Sequence, residues 1–195
     1  MGNDDSWAAL AWGIAAMGWL VALVLGVAWQ RARQRKAAPV DGNVDLLTGL
    51  PLRPIFLEQA GREVNRAQRA GHVLSALLVD IDHMRKLNEQ YGTHAGDLVL
   101  RHVADACRSC VRDFDLLGRF SGEEIALVLP DTPLDGAITV ADRIAARVAS
   151  NLVHLEDGRD IAVSVTVGHA TIQNESDTIE DLLLAADANV GLVNT

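Results

Sequence analysis

The chain has 195 residues, 49% of them hydrophobic, and a formal net charge of −9 at pH 7. A chain with this many apolar residues is not disordered. A chain this acidic lacks the basic face with which nucleic-acid binders displace counterions. The length allows one ordinary domain with an appendage. We therefore expect a folded domain without a nucleic-acid partner.

The N-terminal part is predicted to cross a membrane once. Residues 7–29 contain all four tryptophans and neither a charged residue nor a proline, and about 20 apolar helical residues span a bilayer. Four basic residues follow directly, namely Arg31, Arg33, Arg35 and Lys36. Positive flanks stay in the cytosol, so we expect residues 1–6 outside the inner (cytoplasmic) membrane. A cleaved signal peptide, which typically has a basic leader and a shorter apolar run, and a buried soluble helix are the alternatives.

A basic juxtamembrane linker over 30–44, containing Pro39 and Gly42, is predicted to lead into a cytosolic domain over 45–195. Apolar residues at helical spacing or in strand-like runs define its elements. Helices are expected over 53–70, 83–90, 96–111, 135–150 and 179–188, and strands over 72–79, 114–120, 125–129 and 161–167, the last closed by Gly168. This order predicts an α/β (α+β) domain with a mixed central sheet flanked by helices.

Cys107 and Cys110, the two cysteines, are too few for a disulfide framework. No second Cys/His pair stands at zinc-site spacing. At positions i and i+3 of a predicted helix, they are expected to pack as small hydrophobic side chains.

Acidic side chains stand at two predicted turns. Asp80 and Asp82 follow the buried strand, and Glu123 and Glu124 lie at a hairpin tip over 121–124. Carboxylates in such places are candidate ligands for a hard divalent cation, although they are also ordinary solvated turn residues. The chain has neither a G-x-x-x-x-G-K-[ST] loop nor a G-x-G-x-x-G turn. A bound nucleotide must therefore be held through a metal ion and side chains.

Several segments in order resemble one family, the GGDEF domain of diguanylate cyclases. They are D-L-L-T-G-L-P-L-R at 45–53, L-V-D-I-D-H-M-R-K-L-N at 78–88, Y-G-T-H-A-G-D at 91–97, R-F-S-G-E-E-I at 119–125 and V-T-V-G at 165–168. The resemblance extends from residue 45 to about 188. It implies the palm-like fold of nucleotide cyclases, synthesis of cyclic di-GMP from two GTP molecules with release of pyrophosphate, and a homodimer.

The resemblance also implies roles for individual residues. Asp80, Glu124 and the backbone carbonyl of Ile81 are expected to bind Mg²⁺ or Mn²⁺, and Glu123 to act as general base or to assist the metal. Asn88 and Asp97 are expected to contact guanine, while Ser121 and Gly122 keep the turn small beside the nucleotide. Arg85 takes the place of a phosphate-contacting lysine. The bland alternatives are helix caps for Asn88 and Asp97, a solvated helix face for Arg85, and a structural role for Asp82.

Upstream of the turn, Arg112 and Asp115 form an R-x-x-D pattern similar to the family's inhibitory product site, and Arg143 resembles its second arginine. Arginine is well suited to guanine and to phosphate. The resemblance thus implies that cyclic di-GMP is an inhibitor as well as a product.

The chain departs from the family pattern at several positions. Ser121 replaces a glycine, Ile125 a phenylalanine and Thr93 a histidine. Asn194 stands where a lysine would clamp the triphosphate, and a following arginine is absent. Losing such a charge-assisted contact is expected to weaken GTP binding or turnover about 10- to 100-fold. The alternative function is therefore a degenerate, non-catalytic module that binds cyclic di-GMP or GTP and signals to a partner.

Overall fold

The computed structural model describes residues 42–174 and 176–193. The predicted span over 7–29, nearly all of the linker and Asn194 lie outside the described residues, so these stay predictions. Among the residues that are described, no helix is long and apolar enough to cross a bilayer.

The domain contains five helices and six strands in its described part. In chain order they are α1 (Arg53–Ala70), β1 (Leu74–Ile81), α2 (Met84–Tyr91), α3 (Thr93–Ser109), β2 (Leu116–Arg119), β3 (Glu124–Pro130), α4 (Leu134–Ala149), β4 (Val153–His154), β5 (Asp160–Ile161), β6 (Val165–Thr171) and α5 (Ile179–Val193). The predicted order of helices and long strands is confirmed, and α1 has the predicted bounds.

The central sheet has the strand order β2-β3-β1-β6. All three strand pairs are antiparallel, and an isolated bridge between Leu52 and Arg119 adds one parallel contact at the β2 edge. The predicted mixed sheet is therefore mixed only through this bridge. Because strand β3 lies between β1 and β2, helices α2 and α3 belong to a split β-α-β unit.

Two helical layers cover the sheet, since alternate residues of its strands face opposite sides. Leu74, Ala76 and Leu78 of β1 pack with Phe56 of α1 and with α5. Leu77, Val79 and Ile81 pack against α3 and α4 on the other side. The prediction that β1 is buried on both faces is confirmed, because residues 74–79 are all buried.

The strand predicted over 161–167 is wrong in its extent. Asp160–Ile161 pairs with Val153–His154 in a separate hairpin, and β6 begins only at Val165. Ile161, Val163 and Val165 are all buried, so the alternation that suggested one strand is real although the strand is interrupted. Strand β6 then continues through Gly168 to Thr171, so the prediction that Gly168 closes the strand is wrong. Helix α5 packs so closely there that a Cβ on Gly168 would lie 2.0 Å from the Ala186 carbonyl oxygen, which explains the glycine.

The two cysteines are buried and free, as their spacing suggested. Cys107 packs in the layer of α3 and α4, and burial raises the pKa of its thiol to about 12. Cys107 is therefore a protonated, apolar core residue at neutral pH.

Candidate active site

The structure brings the carboxylates of Asp80 and Glu124 together at one end of the sheet. Asp80 stands near the end of β1, Glu124 begins β3, and the two residues are direct cross-strand partners. Directly opposed residues have Cβ atoms roughly 5 Å apart and share one face of the sheet. That face is the one carrying Leu78 and Ala126, which α1 and α5 cover.

The Asp80 carboxyl carries the clearest electrostatic signal of the site. Burial, together with the negative charges of Glu123, Glu124 and Asp82, raises its pKa to about 6. Like charges held this close disfavour ionisation unless a cation joins them. The end of β1 is therefore an acidic site suited to a cation.

Within the described residues, no three His, Cys, Asp or Glu side chains converge as a metal site of their own. Mg²⁺ binds to one or two carboxylates and takes further oxygen ligands from water and phosphate. The side chain of Ile81 is buried on the opposite face, so only its backbone is available at this end of β1. The carboxylates of Asp80 and Glu124, with the backbone carbonyl of Ile81, are oxygen donors of the kind that Mg²⁺ and Mn²⁺ bind.

Asp82 has a structural role, which is the alternative to cation binding that the sequence analysis gave for it. Its Oδ2 accepts a hydrogen bond from the Ser164 hydroxyl at 2.6 Å and its Oδ1 one from the Thr166 hydroxyl at 2.8 Å. Its backbone N–H donates to the Ser164 carbonyl at 3.1 Å. Asp82 therefore fastens the end of β1 to the start of β6.

The predicted turn over 121–124 is present between β2 and β3. The N–H groups of Phe120 and Ser121 donate to the Glu124 carbonyl at 2.9 and 3.3 Å. Neither Ser121 nor Gly122 has a positive φ, so serine fits the first turn position without strain. A Cβ on Gly122 would meet nothing within 4 Å. The turn is exposed, and Glu123 projects from it beside Asp80.

Arg119 is a positioning residue to which the sequence alone gave no role. Its guanidinium donates to Asp45 Oδ1 at 2.8 Å and to the carbonyls of Ser121 and Gly122 at 3.2 and 3.0 Å. Asp45 Oδ2 in turn accepts from the Thr48 hydroxyl and N–H. Although burial opposes it, these bonds and the Arg119 charge hold the pKa of Asp45 below its usual value. Both residues belong to quoted motifs, but no local signal shows that they meet.

Asn88 and Asp97 lie on the two helices that follow β1. Asn88 is on α2, and its Oδ1 is buried without a hydrogen-bond partner. Asp97 lies near the start of α3 and is exposed. The Asn88 oxygen thus lies against Gly96 of α3 while Asp97 is open to solvent, and the guanine contacts of both residues stay predictions.

Arg85 is exposed on α2 and its Nε donates to Glu89 at 3.0 Å. The structure does not bring it into contact with Asp80 or Glu124, and its phosphate role stays a prediction.

A cleft of about 240 Å³ opens beside Glu124, between α1 and α5. The Arg53 guanidinium lies 4.2 Å from the centre of the Phe120 ring at its edge. Apolar residues form the floor, and Glu180 and Asp187 of α5 complete the wall. The charged residues that line the cleft are thus acidic, with the exception of Arg53.

Arg112, Asp115 and Arg143 line a second pocket of about 430 Å³, between α3 and α4. Asp115 Oδ2 accepts the Arg112 N–H at 2.6 Å, while its Oδ1 is buried without a partner. Burial raises the pKa of Asp115, although both arginines oppose the shift. Arg143 donates to the Cys110 carbonyl. The three residues named for a product site therefore surround one polar pocket.

Fold and site together define an α+β domain with a cluster of acidic side chains where its central antiparallel strands end. The sequence profile described as "Diguanylate cyclase, GGDEF domain" matches residues 42–192. The chain belongs to this GGDEF family. The family resemblance and its palm-like α/β fold are thereby confirmed.

Relatives and solved structures agree with this assignment. The response regulator PleD of Caulobacter vibrioides is 40% identical over 147 residues, which cover 75% of this chain and 32% of PleD. The GGDEF domain of DgcB from Caulobacter crescentus, solved with cyclic di-GMP, is 25% identical with a TM-score of 0.76 over 81% of this chain and 90% of that one. The active GGEEF domain of a diguanylate cyclase from Vibrio cholerae is 26% identical with a TM-score of 0.67, over 73% and 90%. The chain spans about a third of PleD.

Proposed function

We propose that this protein is a diguanylate cyclase that condenses two GTP molecules into cyclic di-GMP and releases two pyrophosphates. The pairing of Asp80 with Glu124 at the end of the central strands is the observation that carries the proposal. The raised pKa of Asp80, with Glu123 close by, supports it because such a cluster needs a cation. The similar domain from Vibrio cholerae is active with a GGEEF signature, which supports activity with a glutamate at position 123.

In this reaction, the 3′-oxygen of one GTP attacks the α-phosphorus of the other, and the bond from that phosphorus to pyrophosphate breaks. The same step in the opposite direction closes the ring. When bound, Mg²⁺ or Mn²⁺ supplies positive charge that offsets the triphosphate and favours loss of the 3′-hydroxyl proton. Asp80 and Glu124 hold the ion, and Glu123 accepts the 3′-hydroxyl proton or assists at the metal. Arg119 holds the backbone of the turn on which Glu123 lies.

Asn88 and Asp97 read the base in this proposal. A carboxylate accepts hydrogen bonds from guanine N1–H and the 2-amino group together, whereas adenine has no such donor pair. The Asn88 side-chain amide, on the neighbouring helix α2, makes a further contact with the base in this proposal. Arg85 moves from Glu89 to phosphate when the nucleotide binds, since its present ion pair is exposed and weak.

Each domain holds one GTP, so turnover needs two domains facing each other. We therefore propose a homodimer, anchored in the inner membrane by residues 7–29 with the GGDEF domain in the cytosol. The anchor rests on the apolar, tryptophan-flanked run and the basic residues behind it.

Product inhibition is proposed at the pocket of Arg112, Asp115 and Arg143. Its volume of about 430 Å³ and its unpartnered acid oxygen support binding of a polar ligand. Arginine there provides paired donors for guanine or phosphate. We expect Arg112→Ala to keep the initial rate and to remove the slowing of the reaction as cyclic di-GMP accumulates.

The direct test is to incubate the purified full chain with GTP and Mg²⁺ or Mn²⁺ and to detect cyclic di-GMP by mass spectrometry. Asp80→Asn should form none, because the amide replaces a metal-binding carboxylate. Asp142→Asn, an exposed change on α4, is the matched control and should be fully active. No product from the unsubstituted chain at high concentration would refute the catalytic proposal.

A non-catalytic sensor of cyclic di-GMP is the second candidate function, favoured by the separate Arg112 pocket and by Ser121 in the signature turn. Product formation, measured beside a calorimetric titration, distinguishes the two. A sensor binds cyclic di-GMP but makes none from GTP and Mg²⁺, whereas the product-inhibited cyclase does both.

A further inference from the structure

The cleft between α1 and α5 is lined by three acidic side chains and one arginine. The acids are Glu124, Glu180 and Asp187, and Arg53 is the cation among the described residues that line the cleft. Glu124 is the cross-strand partner of Asp80, and both stand on the sheet face that α1 and α5 cover. The cleft therefore opens directly from the proposed cation site.

Arg53 stands at a position where helix electrostatics disfavour a cation. It is the first residue of α1, and the dipole at a helix N-terminus favours acidic side chains. The first turn of α1 contains no acid that would offset the charge, and the Arg53 side chain is exposed. Helix stability thus gives no reason for a positive charge at this place.

Stacking on Phe120 holds the Arg53 side chain at the cleft. Its guanidinium carbon lies 4.2 Å from the centre of the Phe120 ring, which is a cation–π contact. Phe120 is itself fixed beside Glu124, because its N–H donates to the Glu124 carbonyl at 2.9 Å. A contact through the face of the guanidinium leaves the N–H donors at its edge available to a ligand. Arg53 is thus positioned next to a proposed metal ligand.

The terminal phosphates of a nucleotide match the charges of this cleft. A magnesium ion held by Asp80 and Glu124 takes further ligands from phosphate oxygens, and these lie on the side where the cleft opens. The planar fork of an arginine binds phosphate through two parallel hydrogen bonds. Glu180 and Asp187 repel an anion, so phosphate in the cleft needs a second positive charge besides the metal.

We infer that Arg53 binds the terminal phosphates of GTP in the cleft between α1 and α5, and that Phe120 positions its guanidinium for this contact. The inference rests on the proposed function, because it assumes a nucleotide whose metal ion is held by Asp80 and Glu124. It gives the chain a phosphate-binding cation although Asn194 stands where the family resemblance implies a lysine.

The test compares two ligands by calorimetry on the full chain with Mg²⁺. The first, 3′-deoxy-GTP, has the terminal phosphates but no attacking hydroxyl, so no product forms during the titration. The second, GMP, has the same base and the α-phosphate but no terminal phosphates. Losing a charge-assisted contact lowers affinity about 10- to 100-fold. In Arg53→Gln we therefore expect this loss for 3′-deoxy-GTP and a change of less than about twofold for GMP.

Arg62→Gln is the matched control. Arg62 lies on the same helix and is exposed in a pair with Glu58, so the substitution changes the net charge equally without altering the cleft. Both affinities should stay within about twofold of those of the unsubstituted chain. Melting temperatures report any loss of folding. If Arg53→Gln melts too low to titrate, Arg53→Lys decides by the same comparison of ligands, because lysine keeps the charge without the planar fork.

Phe120→Leu tests the positioning role. Leucine keeps an apolar side chain but cannot stack with a guanidinium, so affinity for 3′-deoxy-GTP should fall several-fold while affinity for GMP does not change. Because Phe120 acts through Arg53, the double variant should lose no more than about twofold beyond Arg53→Gln alone.

The outcomes are distinct. Unchanged 3′-deoxy-GTP affinity in Arg53→Gln, or an equal loss for GMP, would overturn the inference while leaving nucleotide binding intact. Losses that multiply in the double variant would overturn the positioning role of Phe120. If the unsubstituted chain binds neither ligand, the proposed nucleotide site fails and the inference fails with it.

Discussion

The surroundings of Asp80 disfavour the ionised form of its carboxyl group. Its pKa of about 6 exceeds the ordinary 3.8 because burial and three neighbouring carboxylates penalise ionisation. Between these two values the folded state binds the proton more tightly than the unfolded state does, so stability is lost as pH rises from about 4 to about 6. Well above pH 6 the metal-free domain carries the Asp80 charge beside neighbouring carboxylates that oppose it.

Asp80→Asn is therefore expected to stabilise the metal-free protein while abolishing product formation. The carboxyl is only half-buried and water screens part of the repulsion, so we expect about 1 kcal/mol and a Tm higher by about 2–4 °C at pH 7.5. The gain should shrink towards pH 4, where Asp80 is protonated. Thermal melts of the two proteins at pH 4, 6 and 7.5 in EDTA measure it. An equal Tm at all three values would contradict the raised pKa.

Arg119→Lys tests whether the planar guanidinium is needed to hold the signature turn. Lysine cannot bridge Asp45 and both carbonyls with one rigid fork, so the turn should loosen and kcat for cyclic di-GMP should fall about tenfold. Steady-state kinetics and a melt measure the two effects. Arg62→Lys is the control, because Arg62 is exposed in an i,i+4 pair with Glu58. A kcat as unaffected as in the control would show that the turn does not depend on Arg119.

For single residues, the sequence was informative where a chemically distinctive side chain lies at a predicted turn or strand end. Acids at a strand end and at a hairpin tip indicated candidate cation ligands, and the family resemblance implied that Asp80 and Glu124 act together. The ion pair of Arg119 with Asp45 could not be predicted from the residues, since 74 positions separate them and neither has a local signature of the contact. The pair of Arg85 with Glu89 is different, because i,i+4 spacing on a helix indicates such a contact.

Among the elements, α5 can pack closely against β6 because Gly168 has no side chain. A Cβ there would lie 2.0 Å from the Ala186 carbonyl oxygen and 2.7 Å from Val190 Cγ2. A backbone oxygen cannot move aside alone, so the whole helix would have to shift. Because Leu183 and Asp187 of α5 line the cleft beside Glu124, such a shift would reach the candidate active site.

Gly168→Ala is expected to destabilise the domain by about 1–3 kcal/mol, the usual cost of overpacking a core, and to lower Tm by several degrees. Gly61→Ala provides the opposite sign, because its helical site is open and alanine is favoured there by about 0.5–1 kcal/mol. Urea unfolding of both variants measures the difference. Equal stability of the two variants would mean that α5 can shift freely on β6.

The β4–β5 hairpin shows where sequence patterns stop being sufficient. Its strands have two residues each, too few for a periodic signal, and buried Ile161 and Val163 continue the alternation of β6 without a break. A contact with α2 and a pair across its own two strands stabilise it instead. The Arg159 guanidinium lies 5.0 Å from the Tyr91 ring centre, and the His154 ring contacts Asp160.

For the whole molecule, the proposed reaction has a stoichiometric consequence. One domain presents one set of Asp80, Glu124 and Asn88, whereas each cyclic di-GMP needs two activated nucleotides facing each other. Activity therefore belongs to pairs of competent chains. With a net charge of −9 on each chain, two copies repel one another unless the membrane, the metal or the nucleotides bring them together.

Mixing experiments test this dependence. If chains exchange freely and Asp80→Asn pairs as well as the parent does, an equal amount of Asp80→Asn leaves half of the parent chains in competent pairs. The rate per parent chain should therefore fall about twofold, since pairs form in proportion to the fractions of their members. Initial rates at fixed total protein, with co-expression to guarantee exchange, measure the fall. Double-substituted Asp80→Asn/Gly168→Ala, whose α5 packing is disturbed, shows whether a correctly packed domain is needed for the effect. A rate per parent chain that stays constant across all ratios would show that one domain suffices, and would rule out the proposed two-domain mechanism.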